Sequence, residues 1–200
     1  MTPIIVLVAA YLIGAIPFGY VLVRLRSGKD VREMGSGNIG ATNVMRTTGR
    51  ALGIVTLLLD IAKGVFAVWL TDYAMHGSMF WMTMAALAVM AGHAFPVFLK
   101  FKGGKAVASF VGAFLYLTPV PLLATLVLFI LTVAVSRYVS LGSVVAAGLF
   151  PLAVWLIEHP PYYVVAAALI AGGFIVYMHR GNIERIRAGN EHVLSFGGRR

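Results

Sequence analysis

Three short segments of the chain carry residues suited to holding an anion. The first reads Gly35-Ser-Gly-Asn-Ile-Gly-Ala-Thr-Asn43, followed by Arg46. Its three glycines permit positive φ, so successive N–H groups can line a concavity that accepts a phosphate. Ser36, Asn38, Thr42 and Asn43 add neutral donors, and Arg46 adds a planar fork matched to phosphate oxygens. The same residues also suit a turn between helix caps, since Thr and Asn begin helices and Gly49 can end one. The second segment, Gly92-His-Ala-Phe-Pro-Val-Phe-Leu-Lys-Phe-Lys-Gly-Gly-Lys105, alternates Phe with Lys up to a Gly-Gly turn. Lys102, Gly103, Gly104 and Lys105 would then sit at the N-terminus of the next helix, where backbone N–H groups favour anions. Its alternative is a positive stop flanked by interfacial aromatics. His93, by itself, suits a structural role equally well.

The third segment runs from Tyr177 to His192. If it is helical, Asn182, Arg185 and Gly189 share one face at i, i+3, i+7, with His179 one turn earlier and Glu191 just beyond. A basic amphipathic tail lying on anionic lipid is its other reading. Two further features would be costly in hydrocarbon. Asp60 and Lys63, spaced i, i+3, can pair on one helix face, and ionisable groups inside membranes are functional candidates. Ser136-Arg-Tyr-Val-Ser140 and Ser143 form a polar turn that places Arg137, Ser140 and Ser143 together, or that simply holds a topology arginine. The machinery of several transferases is missing. The chain has no cysteine, no Gly-x-Ser-x-Gly elbow, no His followed five places on by Asp, no His-Glu-x-x-His and no carboxylate pair spaced for a metal. These residues are rich in anion donors and poor in nucleophiles.

The elements that must position them are membrane helices. Of the 200 residues, 60% are hydrophobic and only 12% charged, with a mean hydropathy of +0.90. The apolar runs lack period-2 alternation, which favours helices over a barrel. Given ~20 residues per span, fewer for a half-helix shielded by neighbours, the runs divide into Pro3–Val23, Leu52–Leu70, Met79–Leu99, Ala106–Leu117, Pro121–Val135, Leu141–Ile157 and Tyr162–Met178. The break at 118–121 follows from Thr118-Pro-Val-Pro121, because two prolines end a helix. Met1 to Val23 lacks a basic leader and a small-residue cleavage site, so it is expected to be the first span.

Charge then sets orientation. With seven spans, fifteen of the sixteen Lys and Arg residues fall on one face, and the exception is Lys63 within a span. Six spans would move Arg137 and the basic tail to the far side. The expectation is an all-α, seven-helix bundle with one short helix, N-terminus outside and C-terminus cytoplasmic. Gly28, Gly103 and Gly198 should be cytoplasmic, and Ser78 and His159 external. The net charge of +9 is explained by topology and by anionic lipid or phosphate, so nucleic acid is not expected as a partner.

Ser36-Gly-Asn-Ile-Gly-Ala-Thr-Asn43, Gly92-His-Ala-Phe-Pro-Val-Phe with Phe101-Lys-Gly-Gly-Lys105, and His179-Arg-Gly-Asn-Ile-Glu-Arg185 resemble the three motifs of the bacterial acyl-phosphate:glycerol-3-phosphate acyltransferases (PlsY type). Leu58-Leu-Asp60 with Lys63-Gly64, and Ser136-Arg-Tyr-Val-Ser-Leu141, are similar to that family's span residues. Ala106 and Ser109 stand where the family usually has Gly and Thr; a methyl at 106 suits a helix start.

The resemblance covers nearly the whole chain. It implies a single acyltransferase domain over 1–200 in the bacterial inner membrane, its active site facing the cytoplasm. The implied reaction moves a fatty acyl group from acyl phosphate to the sn-1 hydroxyl of glycerol 3-phosphate, giving lysophosphatidic acid and phosphate. That is the entry step of bacterial phospholipid synthesis, and it needs no cofactor or metal. Ser36, Asn38, Arg46, Lys105, His179 and Asn182 are the catalytic set the resemblance implies. The wider binding set adds Gly37, Gly40, Thr42, Asn43, Asp60, Lys63, His93, Lys102, Gly103, Gly104, Arg137, Ser140, Ser143, Arg185 and Glu191. The expected partners are the two substrates and membrane lipid, with no obligate protein partner. A transporter for a phosphorylated solute would also explain a broken helix and a buried ion pair. It would, however, need polar residues through the depth of the membrane, and here they crowd one face.

Overall fold

The computed structural model describes residues 2–194; Met1, Gly198, Arg199 and Arg200 lie outside the described residues. Ten α-helices and two short 3-10 turns make up the described secondary structure, and no strand occurs among the described residues. Five helical segments are long and apolar enough to cross a membrane: Pro3–Ser27, Arg50–Ala74, Met79–Leu99, Pro119–Ser136 and Val139–Glu158. A sixth is added if Tyr162–Met178 is taken with Arg180–Arg187 across a 52° bend. Val107–Leu117 is apolar but has only 11 residues, about 16 Å of helix and well short of a bilayer core.

The chain divides into two compact units, Met1–Leu117 and Thr118–Arg200. In the first, α1 (Pro3–Ala15) packs on α5 (Met79–Ala94), and α4 (Arg50–Ala74) packs on α6 (Val107–Leu117). Small residues allow the close crossings that membrane helices use in place of a hydrophobic driving force. A Cβ on Gly112 would overlap the Ile61 carbonyl of α4, and one on Gly64 would overlap the Ser109 carbonyl of α6. The α4·α6 pair is therefore seated backbone to backbone.

The first span is not one helix. α1 ends at Ala15 and α2 runs Phe18–Ser27, so the expected helix Pro3–Val23 is interrupted and then extended. The cause is Pro17, which has no N–H to continue the ladder and clashes with the preceding turn. The break exposes the Ile16 carbonyl inside the protein. It is met by Lys63 of α4, whose Nζ donates to Ile16 O at 2.8 Å. α2 then delivers the chain to a 3-10 turn at Val31–Glu33 and to α3 (Ala41–Thr48), with Gly49 closing α3 at φ 118°.

In the second unit, α7 (Pro119–Ser136), α8 (Val139–Glu158) and α9 (Tyr162–Met178) pack in sequence order, and α10 (Arg180–Arg187) touches α8 and α9. α7 starts earlier than its second proline suggests, since Pro119 occupies the first turn, where a missing N–H costs nothing. Arg137 turns α7 into α8 in the left-handed conformation, φ 62°. Gly189 lies beyond the end of α10 with φ 73°, so it does not extend the Asn182–Arg185 face as its spacing suggests.

Candidate active site

The first loop is built around Asn43. Its Nδ2 lies 2.8 Å from Asn38 O, 3.0 Å from Met34 O and 3.2 Å from Val31 O, while its Oδ1 accepts from Ser36 N at 2.9 Å. Asn38 Oδ1 in turn accepts from Gly40 N at 2.8 Å, and Gly37 N bonds Met34 O at 3.0 Å. The N–H groups of Ser36, Gly37 and Gly40 are therefore taken up inside the loop, and the expected cradle of glycine N–H groups is not what this loop offers. It offers side chains instead: Ser36, Thr42 and Arg46 are exposed, and Thr42 and Arg46 sit one turn apart on α3. Asn38 and Asn43 act on the loop's own backbone.

The second loop is folded back onto the end of α5. Gly103 N donates to Ala94 O and Gly104 N to His93 O, each at 3.1 Å, which satisfies carbonyls that a helix end leaves open. Tyr11 of α1 donates its hydroxyl to Phe95 O at 2.7 Å. Three non-glycine residues around Gly103-Gly104-Lys105 adopt left-handed φ: Lys100 at 53°, Phe101 at 61° and Ala106 at 60°. Each such residue costs about 1 kcal/mol, and concentrations of this strain occur at functional sites. The expectation that Ala106 begins a helix does not hold. α6 starts at Val107, and Ala106 caps it through its carbonyl, which accepts from Phe110 N at 2.8 Å. Lys105 therefore precedes the helix by two residues, half-buried.

This corrected geometry inverts the usual cost of glycine. Within a helix, Ala→Gly loses about 1 kcal/mol. At position 106 the relief of left-handed strain should offset that loss, so Ala106→Gly is expected to leave thermal stability unchanged or raise it by about 1 kcal/mol. Thermal unfolding of the purified protein in detergent reads the change directly. A destabilisation as large as that in a helix would mean that the backbone at 106 is not left-handed.

Beneath this loop lies a buried polar cluster. Asp60 and Lys63, expected to pair, do so: Lys63 Nζ is 2.8 Å from Asp60 Oδ1. His93 Nδ1 lies 3.7 Å from the same oxygen and 3.1 Å from Ser109 Oγ. All four side chains are buried. Ser109 was legible only as a departure from the family pattern, because a serine in an apolar helix carries no signal of what it will face.

In the second unit the third segment is organised by Glu191. Its Oε1 accepts from Asn182 Nδ2 at 2.6 Å and from Ser140 Oγ at 2.9 Å, and its Oε2 accepts from Arg185 Nε at 2.8 Å. One carboxylate thus brings together three of the expected residues, from α8 and α10. Leu194 N bonds Arg137 O at 2.8 Å, so the segment after α10 returns to the α7–α8 turn. Ser143 instead bonds its own helix, at Val139 O. His179 sits at the α9–α10 bend, buried, with Nδ1 2.7 Å from the Ile175 carbonyl. A carbonyl only accepts, so Nδ1 carries a proton and donates it to Ile175 O.

Burial pushes the Glu191 carboxyl up, but the hydrogen bonds from Asn182, Ser140 and Arg185 outweigh it and hold the group below its usual value of 4.5. A depressed folded pKa means this contribution is complete above pH 4.5 and is lost as pH falls below it. The protection factor of the Leu194 amide, its intrinsic exchange rate divided by the observed one, should fall on acidification through that range. Glu191→Gln should exchange fast already at pH 7, having lost roughly 1–3 kcal/mol of charged hydrogen bonding, and should show no further acid step. Identical acid profiles in the two proteins would remove Glu191 as the hub.

The described residues form an all-helical protein with five or six segments long and apolar enough to cross a membrane, and loops rich in polar side chains between them. The chain matches the glycerol-3-phosphate acyltransferase family over residues 4–189. It is 45% identical over 200 residues to a glycerol-3-phosphate acyltransferase of Desulforamulus reducens, covering 97% of this chain and 96% of that one. It is 48% identical over 182 residues to one from Trichlorobacter lovleyi, covering 91% and 92%. Among solved structures it resembles PlsY (YgiH), an integral membrane glycerol 3-phosphate acyltransferase, in its glycerol 3-phosphate form. There the TM-score is 0.91 at 35% identity, over 98% of this chain and 96% of that one. The lysophosphatidic acid form gives 0.88 at 33%, over the same shares. The chain belongs to the glycerol-3-phosphate acyltransferase family.

Proposed function

We propose that the chain transfers a fatty acyl group from acyl phosphate to the sn-1 hydroxyl of glycerol 3-phosphate, releasing lysophosphatidic acid and inorganic phosphate. The observation that carries this reading is the match, at a TM-score of 0.91, to an acyltransferase solved with glycerol 3-phosphate. The chemistry of the residues supports it. The hydroxyl oxygen attacks the acyl carbonyl carbon, the bond from that carbon to the phosphate oxygen breaks, and phosphate departs with the electron pair. The hydroxyl proton passes to a phosphate oxygen of the substrates themselves. No protein nucleophile is required, because the mixed anhydride is already activated, and the protein's part is positioning and charge stabilisation.

In this reading Lys105, Arg46, Ser36, His179 and Asn182 hold glycerol 3-phosphate, with Gly103 and Gly104 shaping the loop. Asn43 holds Ser36 through its backbone N–H, and Asn38 supports that loop by accepting from Asn43 and from Gly40. In this reading the whole chain acts as one acyltransferase. The seven apolar helices cross or enter a bacterial inner membrane, the N-terminus outside and the loops at 28–50 and 100–105 in the cytoplasm, where glycerol 3-phosphate is met. The reaction is the first step of phospholipid synthesis.

Purified protein mixed with palmitoyl phosphate and glycerol 3-phosphate should give lysophosphatidic acid and phosphate in equal amounts. Absence of product would overturn the assignment. Cysteines at Ser78 and His159 should react with an impermeant reagent from outside, and those at Gly28 and Gly103 should not. Protection at 159 would break the seven-span parity.

A further inference from the structure

We infer that His93 is a positioning residue: its imidazole is the support on which the Gly103-Gly104-Lys105 loop is set, and it acts on substrate through Lys105. The inference rests on the proposed reading that Lys105 holds the phosphate of glycerol 3-phosphate.

The ring is fixed along one edge. Nδ1 meets Ser109 Oγ of α6 at 3.1 Å and faces Asp60 Oδ1 of α4 at 3.7 Å. That oxygen is itself held by Lys63 at 2.8 Å. The opposite edge faces the loop. A Cβ at position 104 would overlap His93 Nε2, and would stand 2.9 Å from Cδ2 and 3.3 Å from Cε1. Gly104 is therefore in contact with the ring where any other residue would be pushed away from it. The same histidine holds the loop a second time through its backbone, since His93 O accepts from Gly104 N at 3.1 Å.

Such a double hold answers a need. The loop carries left-handed residues at Lys100, Phe101 and Ala106, conformations that persist only where the surroundings over-determine them. The ring also links the loop's two ends. His93 lies on α5 just before the loop, and Ser109 lies on α6 just after it. Fixing one to the other fixes the position of Lys105 between them. With 4% of its surface exposed, His93 is too enclosed to bind a substrate itself.

Two isosteres separate the two edges. Asn at 93 keeps a polar group beside Ser109 and empties the space under Gly104; Gln places its terminal amide where Nε2 stands. His93→Asn is expected to raise the KM for glycerol 3-phosphate roughly tenfold, the scale of a sub-ångström misplacement of a binding group, with kcat and the KM for palmitoyl phosphate little changed. His93→Gln should recover most of the loss. Gly104→Ala should raise the same KM. Combining it with His93→Asn should lower KM below that of Gly104→Ala alone, because the methyl then fills the vacated space.

This reversal of sign would not arise from a merely structural role. Losses that multiply in the double variant, or a fall in kcat at constant KM, would overturn the inference. Should His93→Asn not fold, Ser109→Ala releases the ring and is read the same way: KM must rise at constant kcat. Lys105→Ala in the same assay keeps the two readings apart. If it leaves KM unchanged, the phosphate assignment has failed. If it raises KM while the His93 and Ser109 variants do not, only the positioning role has.

Discussion

Lys105→Ala is expected to raise the KM for glycerol 3-phosphate by roughly 10- to 100-fold, the equivalent of one charged hydrogen bond of about 1.5–3 kcal/mol. The lysine follows a Gly-Gly turn pinned to the last carbonyls of α5 and precedes a left-handed Ala106, so its backbone is fixed on both sides. That arrangement leaves little backbone entropy to be lost on each binding event, and a lysine so placed suits a positive charge more than a general base. Lys105→Arg should restore part of the affinity, since the charge is kept and only its shape changes. An arginine variant no better than alanine would contradict a role based on charge. Loss of kcat alone, with KM intact, would point to proton transfer.

The second large effect is expected from Lys63→Met. It would leave the Asp60 carboxylate buried without its partner at 2.8 Å and the Ile16 carbonyl without its donor at 2.8 Å. Breaking a buried pair from one side costs about 3–5 kcal/mol. The double variant Asp60→Asn with Lys63→Met removes the stranded charge and should recover most of that loss. It should not return to the parent stability, because Ile16 O loses its charged donor and keeps only Phe18 N at 3.2 Å, a loss of about 1 kcal/mol. Thermal unfolding of the three variants in detergent decides the matter. Additive losses in the double variant would show that the two side chains do not act as a pair.

Features coded by nearest neighbours along the chain were legible in the sequence. Thr118-Pro-Val-Pro121 divides α6 from α7 as its prolines require, Tyr162–Met178 has the bounds its apolar run gives, and Asp60 and Lys63 meet at i, i+3. Features set by distant partners were not. The break at Pro17 was hidden inside a continuous apolar run, and what makes it tolerable is a lysine 47 positions away in sequence. The expected N–H cradle at Gly35–Gly40 fails because Asn43 and Asn38 reach those groups first, a choice that depends on how tightly the loop folds. The left-handed backbone at Ala106 went unseen because alanine signals helix, and only the closure of the preceding loop onto α5 overrides that propensity. Glu191 was legible as a polar residue near the right segment. Its position as shared acceptor of Ser140, Asn182 and Arg185 depends on the chain after α10 turning back.

This acyltransferase is proposed to rely on a donor that brings its own leaving group. The sequence has no cysteine, no serine elbow and no His-x4-Asp arrangement with which to activate a thioester. What it offers is donors for compact anions. The most direct measurement is lysophosphatidic acid formed from radiolabelled glycerol 3-phosphate by purified protein, with palmitoyl phosphate, palmitoyl-CoA and palmitoyl-acyl-carrier protein supplied separately and no metal added. Product from palmitoyl phosphate alone, competitively inhibited by inorganic phosphate or a non-hydrolysable acyl phosphonate, is the expected result. Robust turnover with palmitoyl-CoA alone would contradict it.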